Sequence, residues 1–165
     1  MDSISRRKFV GAGAVTACAI APFAAAAAAA PKGRPEIVTK RLEMTTKAPG
    51  IPRISYVVAR GDTVYTAGVT PYIAGKDDNA PLGDVKDQTR AVLAHIDRLL
   101  AEAGTNKSKL LTAQVWLTDM KHFADHCDAW NEWVDPENPP VRACLLSSEL
   151  WRPGMLVEIM VTASR

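Results

Sequence analysis

Between Asp84 and Gly104, Val85, Thr89, Val92, Leu93, Ile96, Leu99, Leu100 and Ala103 recur at helical spacing, while Lys86, Asp87, Arg90, Asp97, Arg98 and Glu102 cover the other side. That period dictates an amphipathic helix with one buried face, started by Gly83 or Asp84 and stopped by Gly104. Residues 110–117 then switch to a period of two, with Leu111, Ala113, Val115 and Leu117 on one face and Thr112, Gln114 and Trp116 on the other. Such alternation is a half-buried strand. A one-sided helix joined to a one-sided strand must bury its stripe against a sheet, which makes an α+β layer the natural fold class.

The remaining segments fit that class. Residues 54–59 and 63–67 are β-rich runs joined by Arg60-Gly61-Asp62, a hairpin signal. Residues 74–83 read as a loop, and residues 120–134 as a second helix with Phe123, Cys127, Trp130, Trp133 and Val134 near its apolar side. Residues 141–146 and 155–162 read as two neighbouring strands linked by Trp151-Arg152-Pro153-Gly154, and a further short strand is expected around residues 37–44. The order β-β-α-β-α-β-β predicts a mixed sheet with two helices on one face. Its uncovered face is expected to carry Thr112, Gln114, Trp116, Arg142, Cys144, Glu158 and Met160. That mixture is too apolar for water and too polar for a core, so an oligomer with a ligand in its interface is expected.

The N-terminus reads as an address. Ser5-Arg6-Arg7-Lys8-Phe9-Val10 precedes an alanine-dominated apolar run, the layout of a twin-arginine export signal over residues 1–30. Two other readings stay open. Val15-Thr16-Ala17-Cys18 resembles a lipobox, which would make Cys18 a lipid anchor, and an uncleaved run would be a membrane anchor weakened by Pro22. Residues 31–52 read as a tether and lead-in, and residues 53–165 as the folded domain. A periplasmic or secreted protein is expected, with no stable membrane insertion once the signal is removed. The signal takes Arg6, Arg7 and Lys8 from 20 basic residues and Asp2 from 18 acidic ones, leaving 17 of each. A neutral domain without a basic cluster is a poor partner for nucleic acid.

Val141-Arg142-Ala143-Cys144 and Leu156-Val157-Glu158-Ile159 are the chemically informative segments. A half-buried arginine facing a half-buried glutamate is costly unless each has a partner or a ligand, which makes this a candidate small-molecule site. Other groups carry less. Asp119, His122 and His126 lack a fourth ligand and the HExxH arrangement, so solvated histidines near a helix end are expected and no metal site is assigned. His95 is expected to be exposed, and Cys127 and Cys144 to be free thiols on separate elements. The glycines are too scattered for a phosphate loop.

Gly61-Asp62-Thr63-Val64-Tyr65-Thr66-Ala67-Gly68, Leu99-Leu100-Ala101-Glu102-Ala103-Gly104, Pro140-Val141-Arg142-Ala143-Cys144, Val157-Glu158-Ile159 and Thr162-Ala163 together resemble the RidA/YjgF family of reactive-intermediate deaminases, also called the endoribonuclease L-PSP family. The resemblance covers residues 53–163. It implies a chorismate-mutase-like α+β domain that assembles as a homotrimer, with cofactor-free ligand sites between subunits. It further implies that Arg142 grips the substrate carboxylate, that the backbone of Cys144 and Gly68 on the edging strand line the site, and that Glu158 positions water and moves protons. Ile54 stands where many members have a pocket tyrosine and Val69 where many have glutamine, and Asp119-Met120, Phe123, Trp130 and Trp133-Val134 resemble a divergent branch of the family. The implied reaction is hydrolysis of small carboxylate-bearing 2-imino or enamine acids to 2-oxo acids and ammonia, as in 2-iminobutanoate/2-iminopropanoate deaminases. A non-catalytic carboxylate binder or chaperone-like protein is the alternative, and a ribonuclease comes third.

Overall fold

A computed structural model of the chain describes residues 37–45, 49–71 and 81–165, within a compact unit spanning Glu36–Arg165. Residues 1–30, expected to be an export signal and including Cys18, lie outside the described residues, as do residues 31–36 and 46–48 of the expected tether. The elements are β1 (Thr39–Met44), β2 (Ser55–Arg60), β3 (Thr63–Thr66), α1 (Val85–Glu102), β4 (Leu110–Leu117), α2 (Phe123–Trp133), β5 (Val141–Leu146) and β6 (Val157–Ser164). They form the expected α+β layer, a six-stranded mixed sheet in the order β1-β2-β3-β6-β4-β5. Every neighbouring pair is antiparallel except β4 and β5, which α2 connects as a parallel crossover. Among the described residues no helix is long and apolar enough to cross a membrane.

Local chemistry explains the boundaries of α1. The Asp84 side chain accepts from the Asp87 N–H at 2.9 Å, an N-cap. At the other end Gly104 takes φ +79°, its N–H bonds Ala101 O, and the Thr105 N–H bonds Leu100 O. This is a Schellman stop, which only glycine enters without a Cβ penalty. Val92, Leu93, Ile96, Leu99 and Leu100 are buried against Val57, Val64, Val115, Ile159 and Val161 of the sheet. Gln88 is buried too, donating to Gly83 O and Gly154 O and accepting from the Leu156 N–H. It thereby clamps the start of the helix to the lead-in of β6. The helices are joined by Trp133 Nε1–H to Asp97 (2.8 Å) and by Arg90 to Glu132 (3.0 Å).

Three expectations need correction. A register shift between Leu110 and Thr112 buries Leu110 and turns Leu111 outward, so the alternation of β4 begins only at Thr112. The closing strands are not neighbours, because β4 lies between β5 and β6. Finally, Ala113 is opposite both Val161 and Arg142, and Val115 is opposite both Ile159 and Cys144. Side chains paired in register share a face, so Arg142 and Cys144 lie on the helix-bearing face. The open face holds Gln114, Trp116, Glu158 and Met160, together with Val141, Ala143 and Leu145 of β5.

Candidate functional site

Arg142 sits on the edge strand β5 and reaches under α2. Its Nη2 lies 2.6 Å from His126 Nε2, and its guanidinium carbon is 5.1 Å from the Trp130 ring centre and 6.0 Å from that of Phe123. Stacking on aromatic faces suits a delocalised cation. Among the described residues no carboxylate lies within ion-pair distance of Arg142, and its buried Nε–H has no partner. The charge is held in place but not neutralised.

The state of His126 follows from its neighbours. The Thr89 hydroxyl donates to Val85 O at 2.7 Å, so at 3.0 Å from His126 Nδ1 it can only accept. Nδ1 therefore carries the proton, and Nε2 presents its lone pair to Arg142. Burial, and after it the charge of Arg142, lower the His126 pKa from 6.5 to about 4, so the ring is neutral at physiological pH. This overturns the expectation of a solvated histidine: His126 is fully buried, with both ring nitrogens engaged. The missed signal was its place between Phe123 and Trp130, at i+3 and i−4, on the apolar stripe of the helix. His95, expected to be exposed, is half-buried with both ring nitrogens unpartnered among the described residues, and burial lowers its pKa.

Glu158 occupies the other face, opposite Trp116 on β4. It is half-buried, makes no side-chain hydrogen bond or ion pair among the described residues, and burial raises its pKa. Gly68 is brought directly against it. The backbone of Val69 bonds Ile159 in both directions, at 2.8 and 3.0 Å, and a Cβ on Gly68 would lie 1.8 Å from Glu158 Oε1. Gly68 is therefore the open floor on which the carboxyl group rests. Cys144 lies on the helix-bearing face with a half-buried thiol whose pKa is raised by burial, a state that disfavours the nucleophilic thiolate. Cys127 is likewise a free thiol.

Within one chain, Gly68 and Glu158 thus form one half-site and Arg142, His126 and Trp130 another, on opposite faces of the sheet. The first offers a half-buried carboxyl group whose pKa burial raises, which favours its holding a proton more than a solvated glutamate does. The second offers an oriented, uncompensated guanidinium suited to a planar anion.

The endoribonuclease L-PSP family model matches residues 45–165. A RutC family protein of Haemophilus influenzae is 42% identical over 112 residues, spanning 68% of this chain and 90% of that protein. The RutC family protein YoaB of Escherichia coli is 36% identical over the same share of each. The crystal structure of NMB1025, a YjgF family member from Neisseria meningitidis, superposes with a TM-score of 0.66 at 33% identity, covering 78% of this chain and 95% of that one. Yeast Mmf1, at 20% identity and a TM-score of 0.66, shares the fold. With its sheet, its helices and most of its length matched in this way, the chain belongs to the RidA/YjgF (endoribonuclease L-PSP) family.

Proposed function

We propose that this protein is an exported, trimeric hydrolase that converts small 2-imino acids, and the enamines in equilibrium with them, to 2-oxo acids and ammonia without a cofactor. The observation that carries this reading is the pair of uncompensated half-sites, a guanidinium without a carboxylate and a carboxyl group without a cation. Each is unfavourable alone, and an anionic electrophile lying between them would relieve both. Because they occupy opposite faces of one sheet, the complete site takes Arg142 from one copy and Glu158 from its neighbour. The open face supports this assembly: Val141 is 71% exposed, Leu145 48% and Tyr65 47%, an apolar surface adjoining Glu158.

The chemistry follows from the two groups. The guanidinium donates N–H bonds to the substrate carboxylate and fixes the imine carbon in place. Glu158, as carboxylate, takes a proton from water as its oxygen bonds the imine carbon and the C=N π electrons move to nitrogen. Glu158 returns that proton to the nitrogen, giving a neutral carbinolamine. The carbinolamine then collapses: Glu158 takes the hydroxyl proton and passes it to the nitrogen as C=O forms and the C–N bond breaks, so that the nitrogen leaves as ammonia. Burial raises the Glu158 pKa, which suits a group that must accept a proton and then return it. Export by the twin-arginine route would deliver the domain, folded, to the periplasm or beyond.

The test is a coupled assay in which a pyridoxal-dependent dehydratase makes 2-aminoacrylate from serine and pyruvate release is followed. The protein should accelerate release, and Arg142→Ala and Glu158→Gln should each reduce that acceleration by about 10² or more, the scale of lost acid/base and positioning effects. Light scattering should give a trimer. Absence of acceleration alongside Arg142-dependent binding of 2-oxobutanoate would replace this reading with the non-catalytic binder. The exposed Ile54 at the position of the family's pocket tyrosine favours that alternative.

A further inference from the structure

We propose that His126 is a positioning residue for Arg142, a neutral buried acceptor that fixes the guanidinium while leaving its charge available to an anionic guest. The inference rests on the reading of Arg142 as the carboxylate anchor and identifies what prepares it for that role. A chain of hydrogen bonds runs from the α1 backbone to β5: Val85 O accepts from Thr89 Oγ1, which accepts from His126 Nδ1–H, whose Nε2 accepts from Arg142 Nη2. The chain has a direction. Because the Thr89 proton is committed to the backbone, the imidazole cannot present N–H to the arginine, and the contact stays attractive.

The kind of residue at 126 matters as much as its presence. A carboxylate there would also hold the guanidinium, but would pair with it and cancel the charge the ligand needs. An apolar side chain would leave Nη2 without this partner, next to an Nε–H that already lacks one. A neutral acceptor alone does both jobs. The Trp130 and Phe123 rings beside the guanidinium restrict its tilt, and His126 restricts its rotation in plane. The remaining Nη N–H donors are left for the guest.

The test compares His126→Gln with His126→Glu in the full-length protein. The pair differs in charge at nearly constant shape, and Thr89→Val provides a third variant that removes the acceptor of His126 Nδ1–H, and with it the tautomer lock, together with the Thr89 bond to Val85 O. The readouts are the Kd for 2-oxobutanoate by calorimetry, and kcat and KM for 2-iminopropanoate. His126→Gln should bind within about threefold of wild type, and His126→Glu should lose about a hundredfold, the difference between a neutral acceptor and a charge-cancelling one. Thr89→Val should weaken Kd by about three- to tenfold, with the change in KM rather than kcat. Equal Kd values for the Gln and Glu variants, or a Thr89→Val effect confined to kcat, would overturn the proposal. Arg142→Ala separates the two levels of argument. If it abolishes binding while the His126 variants bind normally, His126 is not the positioning residue. If it leaves binding intact, the reading of Arg142 fails first.

Discussion

The substitution Gly68→Ala isolates the placement of Glu158 from its chemistry. An added Cβ would sit 1.8 Å from Oε1, 2.9 Å from Cδ and 3.2 Å from Cγ of Glu158. The backbone cannot yield easily, because both hydrogen bonds between Val69 and Ile159 hold it to β6. Gly68 does not adopt a positive φ, so alanine is tolerated by the main chain itself. The flexible carboxyl group must therefore move, by well over 1 Å, to regain van der Waals distance. A displacement of about 1 Å in a catalytic group costs about 10² in rate.

Stability should respond quite differently. Swinging Glu158 toward solvent relieves the burial that raises its pKa, and replacing glycine narrows the unfolded ensemble, a gain of about 0.4–1 kcal/mol. The variant is therefore expected to unfold at the same or slightly higher denaturant concentration, with kcat down about a hundredfold. Its remaining activity should have an acid limb at lower pH, because the freed carboxyl group returns toward its ordinary range near 4.5. Denaturant melts and pH–rate profiles on one preparation settle the matter. Wild-type activity, or a stability loss above about 2 kcal/mol, the mark of core damage rather than side-chain displacement, would contradict this role for Gly68.

Other consequences follow from the same structure. His126 has a pKa near 6.5 in the unfolded chain and about 4 in the fold, so the folded state binds fewer protons between those values. Its contribution is complete above pH 6.5 and is lost as pH falls toward 4. Between pH 7 and 4.5, wild type should lose about 2 kcal/mol more stability than His126→Gln, and equal losses would contradict the assignment. Gln88→Leu removes three hydrogen bonds and strands Gly83 O, Gly154 O and the Leu156 N–H, which should cost about 2–4 kcal/mol in urea unfolding. Leu145→Glu places a charge on the exposed apolar face and should shift the light-scattering mass of the proposed trimer toward monomer while the circular dichroism spectrum is retained.

The secondary-structure elements were legible from residue spacing alone. The period of α1, its Asp84 cap and Gly104 stop, the span of β4 and the limits of β5 are local properties, because each rests on side-chain spacing or one residue's backbone freedom. The sequence also marked Arg142, Glu158 and Gly68 as the residues of interest. Alternation along a strand divides its side chains into two sets, but it does not say which set meets the helices. On β5 the apolar set, Val141, Ala143 and Leu145, suggests the core, yet it is the arginine set that faces α2. The reason is tertiary: β4 separates β5 from β6, and α2 supplies His126 and two aromatic rings able to receive a cation. Strand order and the partners waiting on a helix depend on contacts far apart in sequence. Those contacts, rather than any local pattern, put the guanidinium and the acid on opposite faces of one sheet.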